Sequence, residues 1–454
     1  MPESFDVIVI GGGPGGYVAA IRAAQLGQRT AVVERDKAGG RCLNYACIPA
    51  KTILRTAEIF DEAKNGAELG ITGEVAIDWP ALQARRAKVS ESLSKGVEFL
   101  WDKGKITKIE GEGSLTADGN VSVNGEVHEA KAVVLATGSV ALPIPGVEFG
   151  GRVVDTWGAW SLTEQPRKIA VVGAGASGSE IASAYARLGT EVILIEMLPQ
   201  ILPAEDKDIA KVVERVFKKE GIEVSTGAPV ENVEVGEGSV KFTYGDKSAE
   251  VDYLCVAGGR GPDTEALNLE AAGVKLTDRG KIEVDPYGQT TNPKVFAIGD
   301  LVNKKALAHK AEEEGVVAVE RAGGVETHPV DQELLVGATF THPQVASVGL
   351  TEAAAQEAGH EVKVGKQKIS GEGAGTVYDD KDGIVKLVVD AKYGEILGAH
   401  IVGNRACDMI AELVAVMALE GGAQELARIV HPHPTVSEAV LDAARAVDSW
   451  AIHA

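Results

Sequence analysis

Two stretches of this chain are written to one plan. Residues 7–10 form a short apolar run that leads into Gly11, Gly13 and Gly16 in the spacing G-x-G-x-x-G; residues 17–26 carry helical spacing, and residues 30–33 read as a second strand closed by Glu34. The plan recurs at residues 169–172, Gly173, Gly175, Gly178, a helix through Leu188, a strand at residues 191–195 and Glu196. Each key position lies 162 residues beyond its first counterpart (Gly11 to Gly173, Glu34 to Glu196). Glycines so spaced allow a tight turn and bring a pyrophosphate close to a helix N-terminus, while an acid about 20 residues on accepts from a ribose hydroxyl. A bare glycine triplet is a weak signal, but strand, helix, strand and acid in register define a dinucleotide site. Two in one chain predict an α/β protein with two Rossmann-like dinucleotide-binding domains, and they suggest a flavin and a nicotinamide cofactor. Glu196 repels a 2′-phosphate, and Met197, Leu198 and Pro199 supply no arginine, so NAD is favoured over NADP. The plainer alternative for Glu196 is a surface acid at a strand end.

Between the copies, residues 39–51 read GGRCLNYACIPAK, with Cys42 and Cys47 five apart. Five residues of ideal helix climb about 7.5 Å, more than the Cα separation of roughly 4.4–6.8 Å that a disulfide tolerates. The pair bonds only across a distorted turn. Pro49 suits the first turn of a helix, so Cys47 falls at the mouth of one, where a thiolate is stabilised. Two alternatives stand beside a redox pair. Zinc needs two further ligands, whereas Cys255 and Cys407 stand alone in the sequence; no metal site is expected. Inert buried thiols also fit the stretch taken by itself. Cys255 and Cys407 lie in apolar runs and read as small core residues.

The length of 454 residues suits about three domains. With 45% apolar and 24% charged residues the composition is globular, and a net charge of −21 argues against nucleic acid or an anionic membrane face as partner. The first residues, MPESFD, lack the pattern of a signal peptide and no run is long enough to span a bilayer, so a cytoplasmic location is expected. Disulfides there are usually catalytic or regulatory.

Elsewhere residues 57–100 are helical by spacing, with a solvated charged face, and residues 105–129 form short strands with Asn124-Gly125 as a hairpin turn. A buried strand at 131–135 ends in Ala136, Thr137, Gly138 and Ser139; Pro143, Pro145 and Gly146 mark a linker. Residues 221–257 carry more strands, and a strand at 295–298 stops at Gly299-Asp300, where the acid is either a turn residue or a ligand to cofactor hydroxyls. Ala306 to Lys310 opens a helix, on which Glu312, Glu313 and Glu314 read as a solvated charge cluster. From Gly337 antiparallel strands take over, at 339–349 and 384–401, with an apolar helix at 407–419. Near the end stands HPHPTVSE, residues 431–438. Thr435 and Glu438 fit a capping box; His433, five residues before that carboxylate, equally fits a general base oriented by an acid.

Together the glycine loops, GGRCLNYACIPAK, ATGS at 136–139, GGRGPDT at 258–264, AIGD at 297–300, ALAHKA at 306–311 and HPHPTVSE resemble the flavoprotein disulfide reductases over essentially the whole chain. Cys-Leu-Asn-x-x-Cys-Ile-Pro with this histidine motif is similar to the lipoamide branch. The resemblance implies an FAD-binding domain at 1–147, an NAD-binding domain at 148–271, a segment at 272–336 completing the FAD domain, and a C-terminal α+β dimerisation domain at 337–454. It implies that FAD uses Gly11, Gly13, Gly16, Glu34, Lys51, Gly113, Thr137, Gly138, Ser139, Asp300 and the turn Ala306, Leu307, Ala308 and His309. NAD would use Gly173, Gly175, Gly178, Glu180, Glu196, Val230 and Gly259. Cys42 would exchange with substrate and Cys47 face the flavin, Lys51 and Glu180 would meet beside its ring, and His433 with Glu438 would be the acid/base pair, supplied by the partner subunit of a homodimer. The implied activity is oxidation of dihydrolipoyl groups by NAD, with lipoyl-bearing subunits of 2-oxoacid dehydrogenase complexes or a glycine-cleavage carrier as partners. Runners-up are a reductase for another disulfide or for mercuric ion, though AVDSWAIHA at the C-terminus has no cysteine pair, and a flavin-binding structural subunit, against which the intact Cys42, Cys47, His433 and Glu438 argue. The chain departs from the family at Arg41, Ala46 and Ala50, and residues 369–378 lack the arginine often found there.

Overall fold

The computed structural model describes residues 4–302 and 305–453. The chain divides into two units: one takes residues as far as Thr52, Pro80–Leu142 and Gly259–Gln332, the other Ile53–Trp79, Pro143–Gly258 and everything from Glu333.

In the first unit β1 (Ser4–Ile10) leads through the glycine turn into α1 (Pro14–Gln25) and returns as β2 (Thr30–Glu34). The chain then forms α2 (Gly40–Tyr45), α3 (Cys47–Lys64), whose residues from Ile53 belong to the second unit, and α4 (Trp79–Lys103), followed by β3 (Thr107–Glu110), β4 (Gly113–Leu115), β5 (Val121–Val123) and β6 (Glu126–Leu135). The parallel sheet runs β3-β2-β1-β6, with Val295–Ala297 alongside β6. Val7 and Val9 pack with α1 alanines and Trp101 on one face; Ile8 and Ile10 pack with Val33, Leu115 and Val133 on the other. Covering both faces is what makes residues 7–10 of β1 an unbroken apolar run, each fully buried side chain stabilising by about 1.5–3 kcal/mol.

The second unit repeats this order. Its parallel sheet runs Glu223–Thr226, Glu191–Glu196, Lys168–Val172, Tyr253–Val256 and Val153–Val154. A three-stranded antiparallel sheet from Val230 to Val251 flanks it in sequence. The C-terminal part is a five-stranded antiparallel sheet from Gly337 to Gly403, on which helices Ala406–Ala418 and Glu438–Val447 bury Met409, Ile410, Leu413, Val440 and Ala443. The expected α/β class, with two dinucleotide folds and a C-terminal α+β part, is the observed one.

Three local expectations need correction. The helical run at 57–100 is broken: α3 ends at Lys64, a short turn covers Gly66–Leu69, and α4 begins at Trp79. Gly70 and Gly73 there adopt φ of 78° and 127°, which helical spacing of the surrounding residues could not outweigh. The strand at 131–135 is the end of β6, which starts already at Glu126. Of the three acids at 312–314 only Glu313 is exposed. Glu314 faces inward, accepts from the Gly299 amide at 2.8 Å and pairs with the fully buried Lys310 at 3.3 Å, because positions four apart share a helix face. Among the described residues no helix is long and apolar enough to cross a membrane.

Candidate active site

The two glycine loops have matching geometry. Gly13 and Gly175 cap their helices at φ −68°, ψ −176° and φ −69°, ψ −174°. Space in front of both is open, with no atom within 4 Å of where a Cβ would stand. Behind them there is none: a Cβ on Gly16 would lie 1.8 Å from the Gly11 carbonyl oxygen, and one on Gly178 1.8 Å from that of Gly173. The strand-end acids are duplicated as well. Glu34 accepts from the Gly12 and Asp36 amides at 2.7 and 2.8 Å; Glu196 accepts from those of Ala174 and Leu198 at 2.7 and 2.9 Å. Each acid therefore fixes its glycine loop with one oxygen and the turn after its own strand with the other, while keeping lone pairs for a ribose. Open glycines, amides at a helix start with no acid in the first turn, and a carboxylate at the strand end fit a dinucleotide in each fold.

Around the first loop the structure gathers residues that are far apart in sequence. Ser139 donates its hydroxyl to Asp300, and Arg260 donates to Ser139 Oγ at 2.9 Å and to its carbonyl. Thr137 Oγ1 donates to the Asp263 carbonyl at 2.6 Å, and the Asp263 side chain pairs with Arg35. Arg35, Arg260 and Asp263 had no assigned role; a basic residue just after a strand-end acid was the available signal. Gly113 opens β4, where a Cβ would press on Ile10 and Val33. Leu307 caps the helix Ala308–Ala322, leaving Ala306 and His309 exposed near its start.

Cys42 lies on α2 and Cys47 is the first residue of α3. Between them Ala46, at φ −136°, ψ −89°, breaks the helix, which is the distorted turn the spacing requires. Its φ is negative, so the break requires no left-handed residue. Both thiols are unbridged, and Cys42 is held to its proton by a hydrogen bond with Cys47 and by burial; Lys51 opposes this and Glu312 reinforces it. Glu312 is itself raised by burial and bonds Tyr17, whose phenol burial also raises. Glu312 read only as part of a solvated charge cluster in the sequence, and Tyr17 only as the start of a helical run.

In the second unit His433 Nδ1 lies 3.0 and 3.2 Å from the two oxygens of Glu438, and Glu438 Oε2 also accepts from the Thr435 amide at 2.9 Å. The capping box is only half made: Glu438 opens the last helix with Ser437 as its N-cap, and Thr435 Oγ1 donates to the Pro432 carbonyl instead, while the pairing of Glu438 with the His433 ring has the layout of a base beside its orienting acid. Burial works against the charge of Glu438, but the Thr435 amide and His433 keep its pKa low, so it remains a carboxylate beside the ring. The ring is exposed, with Nε2 on the side away from the acid. Glu180, buried on the helix Ala176–Arg187, accepts from the Phe340 amide at 2.9 Å. Gly259 follows Tyr253–Val256 with open space before it, and Val230 starts its antiparallel strand. Cys42, Cys47 and Lys51 belong to the first unit, Glu180, His433 and Glu438 to the second.

Two dinucleotide folds with a dithiol set across a helix break define an oxidoreductase acting on sulfur groups. The chain belongs to the pyridine nucleotide-disulphide oxidoreductase family: residues 5–315 match that domain and residues 336–444 its dimerisation domain. It is 42% identical to the dihydrolipoyl dehydrogenase of Rhizobium etli over 98% of both chains, and 40% identical to that of Geobacillus stearothermophilus over 99% of this chain and 97% of the other. Among solved structures it superimposes on LpdA of Mycobacterium tuberculosis with a TM-score of 0.89 at 25% identity, covering 98% and 99% of the two chains. The HOCl-induced flavoprotein disulfide reductase RclA of Escherichia coli follows at 0.87 and 26%, covering 97% and 99%.

Proposed function

We propose that this chain is a homodimeric dihydrolipoyl dehydrogenase, oxidising protein-bound dihydrolipoyl groups with NAD⁺ through FAD and the Cys42–Cys47 pair. The observation that carries the reading is the thiol pair straddling the Ala46 break, in a chain that matches dihydrolipoyl dehydrogenases from end to end.

Substrate thiolate attacks Cys42 of the disulfide, forming a mixed disulfide and releasing the Cys47 thiolate. The second substrate sulfur then displaces Cys42, closing the lipoyl ring and leaving the dithiol. His433 Nε2 takes the substrate's thiol proton, and Glu438 on Nδ1 steadies the resulting imidazolium. Cys42, which holds its proton strongly, needs such a partner in the reverse direction as well. FAD would be held by the loop Gly11 to Gly16, Glu34, Lys51, Thr137, Ser139 and Asp300, and NAD by Gly173 to Gly178, Glu180, Glu196 and Gly259; bound there, they supply the two-electron acceptors that regenerate the disulfide. A cytoplasmic site of action goes with this reading, since a pair that cycles through the dithiol suits a reducing compartment. Lipoyl-bearing subunits of 2-oxoacid dehydrogenase complexes, or a glycine-cleavage carrier, are the partners.

NADH formation by the purified protein with dihydrolipoamide, set beside glutathione, thioredoxin and mercuric ion with the matching nicotinamide, tests the reading. Dihydrolipoamide giving the highest kcat/KM supports it; preference for another of the four overturns it.

A further inference from the structure

His433 is met from a second direction. A Cβ placed on Gly373 would lie 3.8 Å from His433 Cε1 and 3.9 Å from Pro434 Cβ, so this turn borders the ring at the carbon between Nδ1 and Nε2. Gly373 opens the short helix Gly373–Val377 and follows Glu372, a carboxylate only 3% exposed. A charge so buried must be paired. Gln367 Nε2 donates to Glu372 Oε1 at 3.0 Å, and His453 Nδ1 lies 3.6 Å from Oε2.

His453 is the centre of a knot. Its amide donates to Asp442 Oδ2 at 2.9 Å, its ring Nδ1 stands 2.9 Å from the same oxygen, and its carbonyl accepts from Gln367 Nε2 at 2.9 Å. Asp442, 1% exposed, lies one turn beyond Glu438 on the last helix, with Arg445 Nη1 at 2.8 Å on its other oxygen. A Cβ on Gly371 would meet the His453 carbonyl oxygen at 2.6 Å, so the tail sits directly on the turn. Gln367, Glu372, Asp442 and His453 thereby tie the end of a strand, the turn and the C-terminal tail to the helix whose first residue orients His433. Burial and the neighbouring acids Asp442 and Glu438 raise the pKa of Glu372, while Gln367 and His453 counter them.

We propose that Glu372 is a positioning residue for the His433 base: anchored through His453 and Asp442, it holds the Gly373 turn against the ring, so that the C-terminal tail sets where Nε2 meets the substrate thiol. This rests on His433 being the acid/base group. A displacement of about 1 Å at a proton-transfer partner costs up to roughly a hundredfold in rate.

The test uses the FAD-loaded dimer, following kcat and KM for dihydrolipoamide and, separately, NADH oxidation by ferricyanide, which needs no thiol proton. Glu372→Ala and His453→Ala are each expected to lower kcat for dihydrolipoamide roughly tenfold with little change in KM, while the ferricyanide rate holds. Glu372→Gln, which keeps the bond with Gln367, recovers most of kcat. Wild-type kcat in both alanine variants overturns the proposal, as does an equal fall in the ferricyanide rate or a glutamine variant no better than alanine. His453→Ala removes only the ring's contacts with Asp442 and Glu372 and keeps the backbone bonds of the tail, which covers the case in which Glu372→Ala fails to fold. His433→Ala separates the two ideas: if it keeps full activity, the base assignment itself falls and the positioning role with it.

Discussion

Glu34 and Glu196 each spend one oxygen on an amide of the glycine loop and the other on the turn after their own strand, so neither is merely a ribose acceptor waiting for a ligand. Replacing Glu196 by arginine removes those bonds together with the negative charge. Both nicotinamide cofactors are then expected to bind more weakly, while the NADP:NAD ratio of kcat/KM rises tenfold or more, about 1.4 kcal/mol. An unchanged ratio would put the ribose contact elsewhere. Glu220 offers a stability prediction. Burial, with Asp61 adding and Arg187 and Lys219 opposing, pushes its pKa up to about 7 from 4.5. A carboxyl raised on folding contributes fully below about pH 4.5, and the contribution is lost as pH rises through 7, up to roughly 3 kcal/mol. Glu220→Gln should therefore raise the melting temperature at pH 8 relative to wild type and leave it near wild type at pH 5, read from melts at both. At this scale the sequence was informative where chemistry is local: Cys42, Cys47 and the strand-end acids declare themselves by spacing. Glu372 and His453 could not, because their meeting joins positions 81 apart (372 to 453) through a fold that spacing does not encode.

At the scale of elements, the glycine turns are the parts that the sequence determined most fully. The same 1.8 Å approach behind Gly16 and Gly178 makes them separable tests of the two folds. Gly16→Ala should yield protein depleted of FAD, seen as loss of flavin absorbance after purification. Gly178→Ala should keep the flavin and lose NADH binding by titration. Equal flavin content in the two variants would sink the assignment of the first fold to FAD. The element least visible in sequence was the irregular stretch at 65–78, since apolar residues recur through it at helical intervals and only its glycines mark the break. Ser139 and Asp300 show the intermediate case: each was a candidate by resemblance, and folding adds that they bond each other, with Arg260 as the third member.

At the scale of the molecule, the order of the parallel strands is the same in both dinucleotide folds, which is why a repeat 162 residues apart made the α/β class readable from sequence. The pairing of chains entered the sequence reading only through the family resemblance, and residues 336–444 match the dimerisation domain. We propose that His433 of one chain completes the thiol site of its partner across a two-fold axis. Co-refolding Cys47→Ser with His433→Ala chains then gives mixed dimers with one intact and one doubly broken site. Random pairing makes half the dimers mixed, so activity should return to about a quarter of wild type from two nearly inactive parents. A flat response across mixing ratios would mean that His433 serves its own chain.

Glu438 leaves little room for drift. A single carboxylate answers to a loop amide, to an imidazole and to the start of a helix, and no other side chain satisfies all three. Glutamine brings one oxygen where two are engaged, and aspartate is a methylene short of the ring. Such a position changes only in company, when the histidine, the loop and the helix start are rebuilt together.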